Sequence, residues 1–173
     1  CFAAEPGAIA APTAGLHFTP EILTEIGNRG IDILEVTLHV GLGTFSSIDQ
    51  EDIRKHKMHA EFFSVSSQTL RQLQVYQNNN KQMINVGTTS VRVLETLARQ
   101  NFQDSSGWTD IFIYPPCKFK MTDGLLTNFH LPKSTLMLLV SAFCGQDLLL
   151  CAYQHAVAEK YRFFSYGDCM LIL

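Results

Sequence analysis

The sequence predicts an α/β architecture, and three observations predict it. Segments with helical periodicity alternate with short apolar runs along the chain, the pattern that lays helices over a sheet. No internal repeat or low-complexity linker interrupts that alternation, so 173 residues read as one domain with a sizeable core. Three of the apolar runs end in turns rich in glycine, hydroxyl or imidazole groups, as strands do where a sheet meets its ligand.

Each element has a local reason. Residues 20–29 form a helix, with Thr19 as N-cap, Pro20 at the first helical position and Gly30 just past the end. Residues 31–40 follow as a strand. Glu35, Thr37 and His39 lie on one of its faces and Leu34, Val36, Leu38 and Val40 on the other. A polar face marks an edge position or the wall of a site. Residues 66–77 are a helix with Leu70 and Leu73 inward, stopped by Asn78, Asn79 and Asn80. Residues 83–86 are a short buried strand and 89–100 a helix, while 104–107 are the exposed loop. Strands are expected at 111–114 and 125–129. Two helices with a break near Gly145 come next, and a closing strand at 170–173.

Composition narrows the class. Hydrophobic residues at 46% and charged residues at 17% exclude a disordered or fibrous chain. A net charge of −3 excludes a wholly basic nucleic-acid coat. The charge is uneven, however: residues 1–53 hold eight acids and one base, Arg29, against twelve bases and eight acids beyond. The densest basic run is Arg54-Lys55-His56-Lys57, a place for a polyanion to approach. Five cysteines form no CxxC pair, which fits reduced thiols in the cytoplasm. Cys144 and Cys151, in apolar helical runs, read as core thiols. The longest apolar stretch, 136–144, is too short for a membrane span.

If the strands are parallel, three loops share one edge of the sheet and form a pocket. They are His39-Val40-Gly41-Leu42-Gly43-Thr44, Gly87-Thr88-Thr89-Ser90, and residues 128–135. Val86 to Ser90 is a strand–turn–helix junction whose free amides and hydroxyls suit a carboxylate, a phosphate or a nucleotide sugar. The same hydroxyls also serve simply to start a helix. Arg92, one turn in, reaches that anion or joins Glu95 and Arg99 in a surface ladder at spacings of three and four. His39 is a candidate general base, since imidazole titrates near neutral pH. Asn128, His130, Lys133, Ser134 and Thr135 gather at one helix start, a polar set that a core does not require. Residues 161–168 crowd Tyr161, Phe163, Phe164 and Tyr166 beside Arg162 and Asp168. Such planes stack on unpaired bases, although at least one phenylalanine belongs to the core. His56, His59 and Glu61 invite a metal reading, but an extended chain points His56 away from the other two.

Taken in order, these segments are specific. Residues 11–18 (APTAGLHF), 39–45 (HVGLGTF), 86–92, 123–135 (DGLLTNFHLPKST) and 161–168 resemble those of the S-adenosylmethionine:tRNA ribosyltransferase-isomerase family of queuosine biosynthesis. The resemblance spans essentially the whole chain. It implies a layered α/β domain with a mostly parallel sheet, residues 1–173 being the carboxyl-terminal portion. The family's upstream segment and inserted β-barrel are then expected to lie outside this chain, which begins with Cys1 rather than Met. Two departures stand out. Ser46-Ser47 replace a basic residue and a proline after the GLGTF run, and Pro116-Cys117 replace Gly-Tyr after Pro115. The first removes an anion contact, and the second stiffens a loop expected near the pocket.

The resemblance also implies the reaction. The ribosyl group of S-adenosylmethionine passes to 7-aminomethyl-7-deazaguanine at the tRNA wobble position and rearranges to epoxyqueuosine, releasing adenine and methionine. S-adenosylmethionine is a consumed co-substrate, and neither a cofactor nor a metal is expected. The partners are the tRNA anticodon loop carrying that base and S-adenosylmethionine, with no membrane and no obligate protein partner, in the cytoplasm. The chemistry needs an acid and a base, for which His17, His39 and His130 are the candidates. Thr13, Thr88, Thr89, Arg92 and Asn128 are candidate substrate contacts, with Thr88, Thr89 and Arg92 toward a carboxylate or phosphate. Asp123 and Asp168 suit ribose hydroxyls or the sulfonium, Tyr166 a base, and Lys133 a tRNA phosphate. The alternatives are a non-catalytic tRNA- or nucleotide-binding module on the same scaffold and a metal-dependent hydrolase built on His56, His59 and Glu61.

Overall fold

One helix, buried along almost its whole length, organises the molecule. The computed structural model describes residues 7–41, 48 and 52–173. Within them a short 3-10 helix (Thr13–His17) precedes α1 (Pro20–Asn28) and β1 (Thr37–Leu38). Next come β2 (Glu61–Ser64), α2 (Ser67–Asn78), β3 (Ile84–Val86), α3 (Thr88–Arg99), β4 (Ser106–Thr109) and β5 (Gly124–Asn128). Helices α4 (Thr135–Cys144) and α5 (Gln146–Ala158) and strand β6 (Cys169–Ile172) complete the order. The caps form as their residue types dictate. Thr19 accepts from the Ile22 amide, Ser66 from Thr69 and Ser134 from Met137, each hydroxyl filling an orphan amide of a first turn.

The α/β reading holds, as layers of helix against two three-stranded sheets in the orders β1-β2-β4 and β3-β5-β6. The strand directions correct the expectation of a mostly parallel sheet. Among the described residues only β3 and β5 run parallel; β1 with β2, β2 with β4 and β5 with β6 are antiparallel. Alternating periodicities reveal that strands exist, but not which strands pair, and here β1 belongs to a different sheet from β3 and β5. The 31–40 strand keeps its two faces, with Leu38 and Val40 buried and Glu35 exposed, yet only Thr37–Leu38 joins a ladder, at a sheet edge. The loop expected at 104–107 already enters β4 at Ser106. Residues 111–114 are not in a ladder; Ile111 and Ile113 are buried while Phe112 and Tyr114 are partly exposed. Cys144 is half-buried, but Cys151 is exposed rather than in the core. Gly145 separates α4 from α5 at a bend of 114°, and no single helix among the described residues is long and apolar enough to cross a membrane.

Helix α3 lies between two apolar clusters. Val93, Leu94 and Leu97 pack with Leu38, Phe63, Leu73 and Met121. Val91 packs with Ile113, Leu125, Leu139, Val140 and Leu149. Buried along with these are Arg92, Glu95 and Thr96, which excludes the surface ladder of Arg92, Glu95 and Arg99. Polar groups survive burial only when paired, and these are. Arg92 Nη1 pairs with Glu61 Oε2. The Glu95 carboxylate accepts from the Lys120 and Met121 amides and the Thr122 hydroxyl at 2.9–3.1 Å. The Thr96 hydroxyl lies 2.6 Å from that of Thr109 on β4.

Candidate functional site

The carboxyl ends of the parallel pair β3 and β5 form one edge of the second sheet, and four segments meet there. The first is the start of α3. Its N-cap, Gly87, has φ +85° and brings no side-chain cap, a left-handed conformation that glycine adopts without strain. The amides of the following turn have no partner inside the helix. Thr88 is buried there, with Thr89 and Ser90 half-buried, and the Ser90 hydroxyl donates back to Val86 O at 2.7 Å. The second segment is the 3-10 helix: a Cβ added at Gly87 would meet Ala14 Cβ at 3.6 Å, so the Thr13–His17 turn lies against the start of α3. His17 holds a buried Nε2 without a hydrogen-bond partner.

The third segment is the end of β5. Asn128, only 4% exposed, donates from Nδ2 to Phe164 O at 2.9 Å and Ser165 O at 3.4 Å, while its Oδ1 is buried without a donor. His130 Nε2 lies 2.9 Å from the Thr127 hydroxyl. Burial pushes the His130 imidazole down from 6.5 to about 4, because water no longer solvates a charged ring. At neutral pH it is therefore uncharged and carries a lone pair, the form a general base needs. Its backbone is held by Tyr153 of α5, whose hydroxyl accepts from the His130 amide at 2.7 Å and donates to the His130 carbonyl at 3.2 Å. The fourth segment is the 161–168 loop. Asp168 accepts from the Arg162 amide at 2.8 Å and from its guanidinium at 3.0 Å, and these bonds hold the Asp168 carboxyl below its ordinary range, with His17 adding a smaller pull. Gly167 closes the loop, since a Cβ there would sit 2.4 Å from Arg162 O.

Thus Thr13, His17, Thr88, Thr89, Asn128, His130 and Asp168 come to one edge, with Tyr166, 86% exposed, on the adjoining loop. Four expected residues stand differently. Asp123 lies at the opposite edge, before β5, where its carboxylate accepts from the Met83 amide at 2.8 Å. Lys133 is exposed, its carbonyl accepting from Ile48 N at 2.9 Å. Arg92 is committed to Glu61, whose other oxygen accepts from Gly41 N at 2.8 Å. His39 belongs to the first sheet, its ring stacked on Phe62 at 5.8 Å. The rest of the first loop, Leu42, Gly43 and Thr44, and the Ser46-Ser47 departure lie outside the described residues. The 115–117 loop lines a cleft with Arg99 at the far end of α3, away from the edge where it was expected. Glu61 serves Arg92, so the His56, His59, Glu61 triad does not assemble, and no three His, Cys, Asp or Glu side chains among the described residues converge to hold a metal. Sequence reasoning missed Tyr153, since nothing in the spacing of α5 links it to His130.

An uncapped helix start, an uncharged imidazole and an unmatched amide oxygen thus meet at the end of a parallel strand pair in an α/β protein. The comparisons agree on the family. The model described as queuosine biosynthesis protein matches residues 1–172, and the chain belongs to that family. A protein of Sulfurihydrogenibium sp. (strain YO3AOP1), named S-adenosylmethionine:tRNA ribosyltransferase-isomerase, is 56% identical over 172 residues, covering 99% of this chain and 51% of that protein. The protein of the same name from Thermotoga maritima is 53% identical over 173 residues, covering 99% and 52%. The crystal structure of S-adenosylmethionine tRNA ribosyltransferase from Thermotoga maritima superposes with a TM-score of 0.75 at 45% identity, over 92% of this chain and 51% of that one. The chain spans about half the length of the curated relatives it matches.

Proposed function

We propose that this chain supplies one side of the active site of an enzyme that moves the ribosyl group of S-adenosylmethionine onto 7-aminomethyl-7-deazaguanine in the anticodon loop of a tRNA. The ribosyl carbon gains a bond to the amine nitrogen, rearrangement gives the epoxycyclopentanediol of epoxyqueuosine, and adenine and methionine leave. S-adenosylmethionine is consumed, so no separate cofactor is called for, and a tRNA substrate fits a cytoplasmic enzyme. The observation that carries this reading is the uncharged His130 beside the uncapped start of α3. His130 is suited to take a proton from the carbon next to the sulfonium or from the attacking amine, and His17 to return one to departing adenine. The α3 amides suit the methionine carboxylate, and the unmatched Asn128 Oδ1 suits an amine or ribose hydroxyl.

The test follows adenine release from S-adenosylmethionine and precursor-bearing tRNA, with this chain extended by the half of the Thermotoga maritima relative that it does not cover. His130→Ala is expected to lower turnover by about a hundredfold or more. Unchanged turnover in both His130→Ala and His17→Ala removes the acid–base assignment. A folded, tRNA-binding protein that releases no adenine favours the binding-module reading instead.

A further inference from the structure

The first sheet carries a feature that the proposed chemistry does not use. Its inner face is ordinary: Leu38, Phe63 and Thr109 are buried toward α3. The outer face of an antiparallel sheet normally turns polar side chains to water. Here Trp108 stands there 66% exposed, directly across from Phe62 in the β2–β4 register, with ring centres 5.6 Å apart. His39 continues the row on the other side of Phe62. Beyond β4 the alternation of buried and open residues persists through residue 114, so Asp110, Phe112 and Tyr114 follow Trp108 on the open side, with one acid between the tryptophan and the Phe112–Tyr114 pair. Their rings lie 4.8 Å apart, and His56 packs on Phe112 at 5.1 Å.

This aromatic strip runs into a cleft of about 590 Å³ lined by Phe112, Tyr114, Arg54 and Arg99 among others. Lys55 and Lys57, both exposed, extend the cationic rim along the most basic run of the chain. Among the described residues, only Arg54 of these cations is in an ion pair, with Asp52. A hydrophobic partner would not need the rim, and a paired helix would not need the rings, because stacked base pairs offer no free face. Unpaired nucleotides need both: a π-face for each base and a cation for each phosphate.

We infer that the outer face of the first sheet, from Trp108 and Phe62 to the Tyr114 cleft, is a stacking platform for unpaired bases of RNA flanking the reacting nucleotide. The inference rests on the tRNA reading above and adds to it a surface on the side of the sheet turned away from α3.

The chain reports on itself, because Trp108 is its single tryptophan. Two RNAs are titrated, an anticodon stem-loop and a fully paired duplex with the same number of phosphates, with binding followed by anisotropy of labelled RNA and by tryptophan emission. The stem-loop is expected to quench emission saturably and the duplex to bind without doing so. Trp108→Ala should weaken stem-loop binding by about tenfold or more, leave duplex binding unchanged and keep the native far-ultraviolet spectrum, since the side chain is mostly in water. Trp108→Phe, which keeps a ring, should retain most of the affinity. Lys57→Ala should weaken both RNAs and flatten the salt dependence.

Stem-loop binding without quenching, and equally tight in Trp108→Ala, overturns the platform while leaving the tRNA reading to the adenine-release assay. Equal binding of the two RNAs, or none of either, overturns it as well. Emission that changes on dilution without RNA assigns the face to a second copy of the chain and also overturns it.

Discussion

His130→Gln is the perturbation that tests the site most directly, because one physical cause fixes both its sign and its size. The imidazole titrates at about 4 in the folded chain against an ordinary 6.5. The depression comes from burial alone. The Thr127 hydroxyl 2.9 Å away can donate to a neutral ring or accept from a charged one, so it does not set the direction. Between the two values the unfolded chain binds a proton that the folded chain refuses, so stability is fully present above pH 6.5 and falls as pH drops toward 4. A gap of two and a half pH units at about 1.4 kcal/mol each is roughly 3–4 kcal/mol, trimmed to about 2–3 by the part of the ring that still meets water. That is a sizeable share of a typical domain's stability.

Urea midpoints of the wild-type chain and of His130→Gln, measured at intervals from neutral pH to pH 4.5, isolate this contribution. Glutamine fills similar space and does not titrate. The variant should lose less stability than the wild type across that window, with most of the difference developed between pH 6.5 and 4.5. Asp52 and Asp168, whose carboxyls are held below their ordinary 3.8, lose their contributions only at lower pH and leave the window clear. A His130 ring titrating near 6.5 by proton NMR, or parallel pH profiles of the two proteins, would refute both the burial argument and the assignment of His130 as an uncharged base.

Two further outcomes follow from the same geometry. Glu95→Leu leaves the Lys120 and Met121 amides and the Thr122 hydroxyl without their acceptor in the core, and should cost about 3 kcal/mol or more in urea denaturation; a loss under about 1 kcal/mol would mean that water reaches those donors. Gly167→Ala forces a methyl against Arg162 O and the Phe163 carbonyl, so the 161–168 loop should lose protection from amide exchange while β2 and β4 keep theirs, at about 1–3 kcal/mol. Unchanged exchange in the loop would show that its closure does not depend on that close approach.

Much of the fold was legible where the signal was local. Thr19 caps its helix as its sequence position indicates, and Gly145 marks its bend. Partner choice was not legible, because the rule that a strand alternates says nothing about which edge it meets; β1 therefore entered the wrong sheet and the expected direction of pairing went with it. The same limit governs the site. Thr88, Thr89, Asn128 and His130 come to one edge as expected, because they sit at strand ends whose neighbourhood follows from chain order. Asp123 was misplaced by one strand length, since a motif quoted as a continuous string does not reveal that its first and last residues lie at opposite edges of the sheet. Arg92 was read as an anion contact because its partner, Glu61, is 31 residues away, and no spacing rule joins them.

That partnership explains how the site is held. An apolar helix between two sheets can rotate or slide at little cost, since one hydrophobic surface substitutes for another. Helix α3 is denied that freedom by three polar groups within little more than one turn, Arg92, Glu95 and Thr96. Arg92 engages Glu61 on β2 and, through it, the Gly41 amide at the end of β1. Glu95 gathers the segment that leads into β5, and Thr96 meets Thr109 on β4. Each anchor costs desolvation, and a buried ion pair is seldom a source of net stability. What the three supply together is register: they fix the rotation and height of α3 against both sheets, and hence where Gly87, Thr88 and Thr89 stand relative to Asn128 and His130. The edge that carries Thr88, Asn128 and His130 and the aromatic face of the first sheet are thereby positioned by residues that lie on neither.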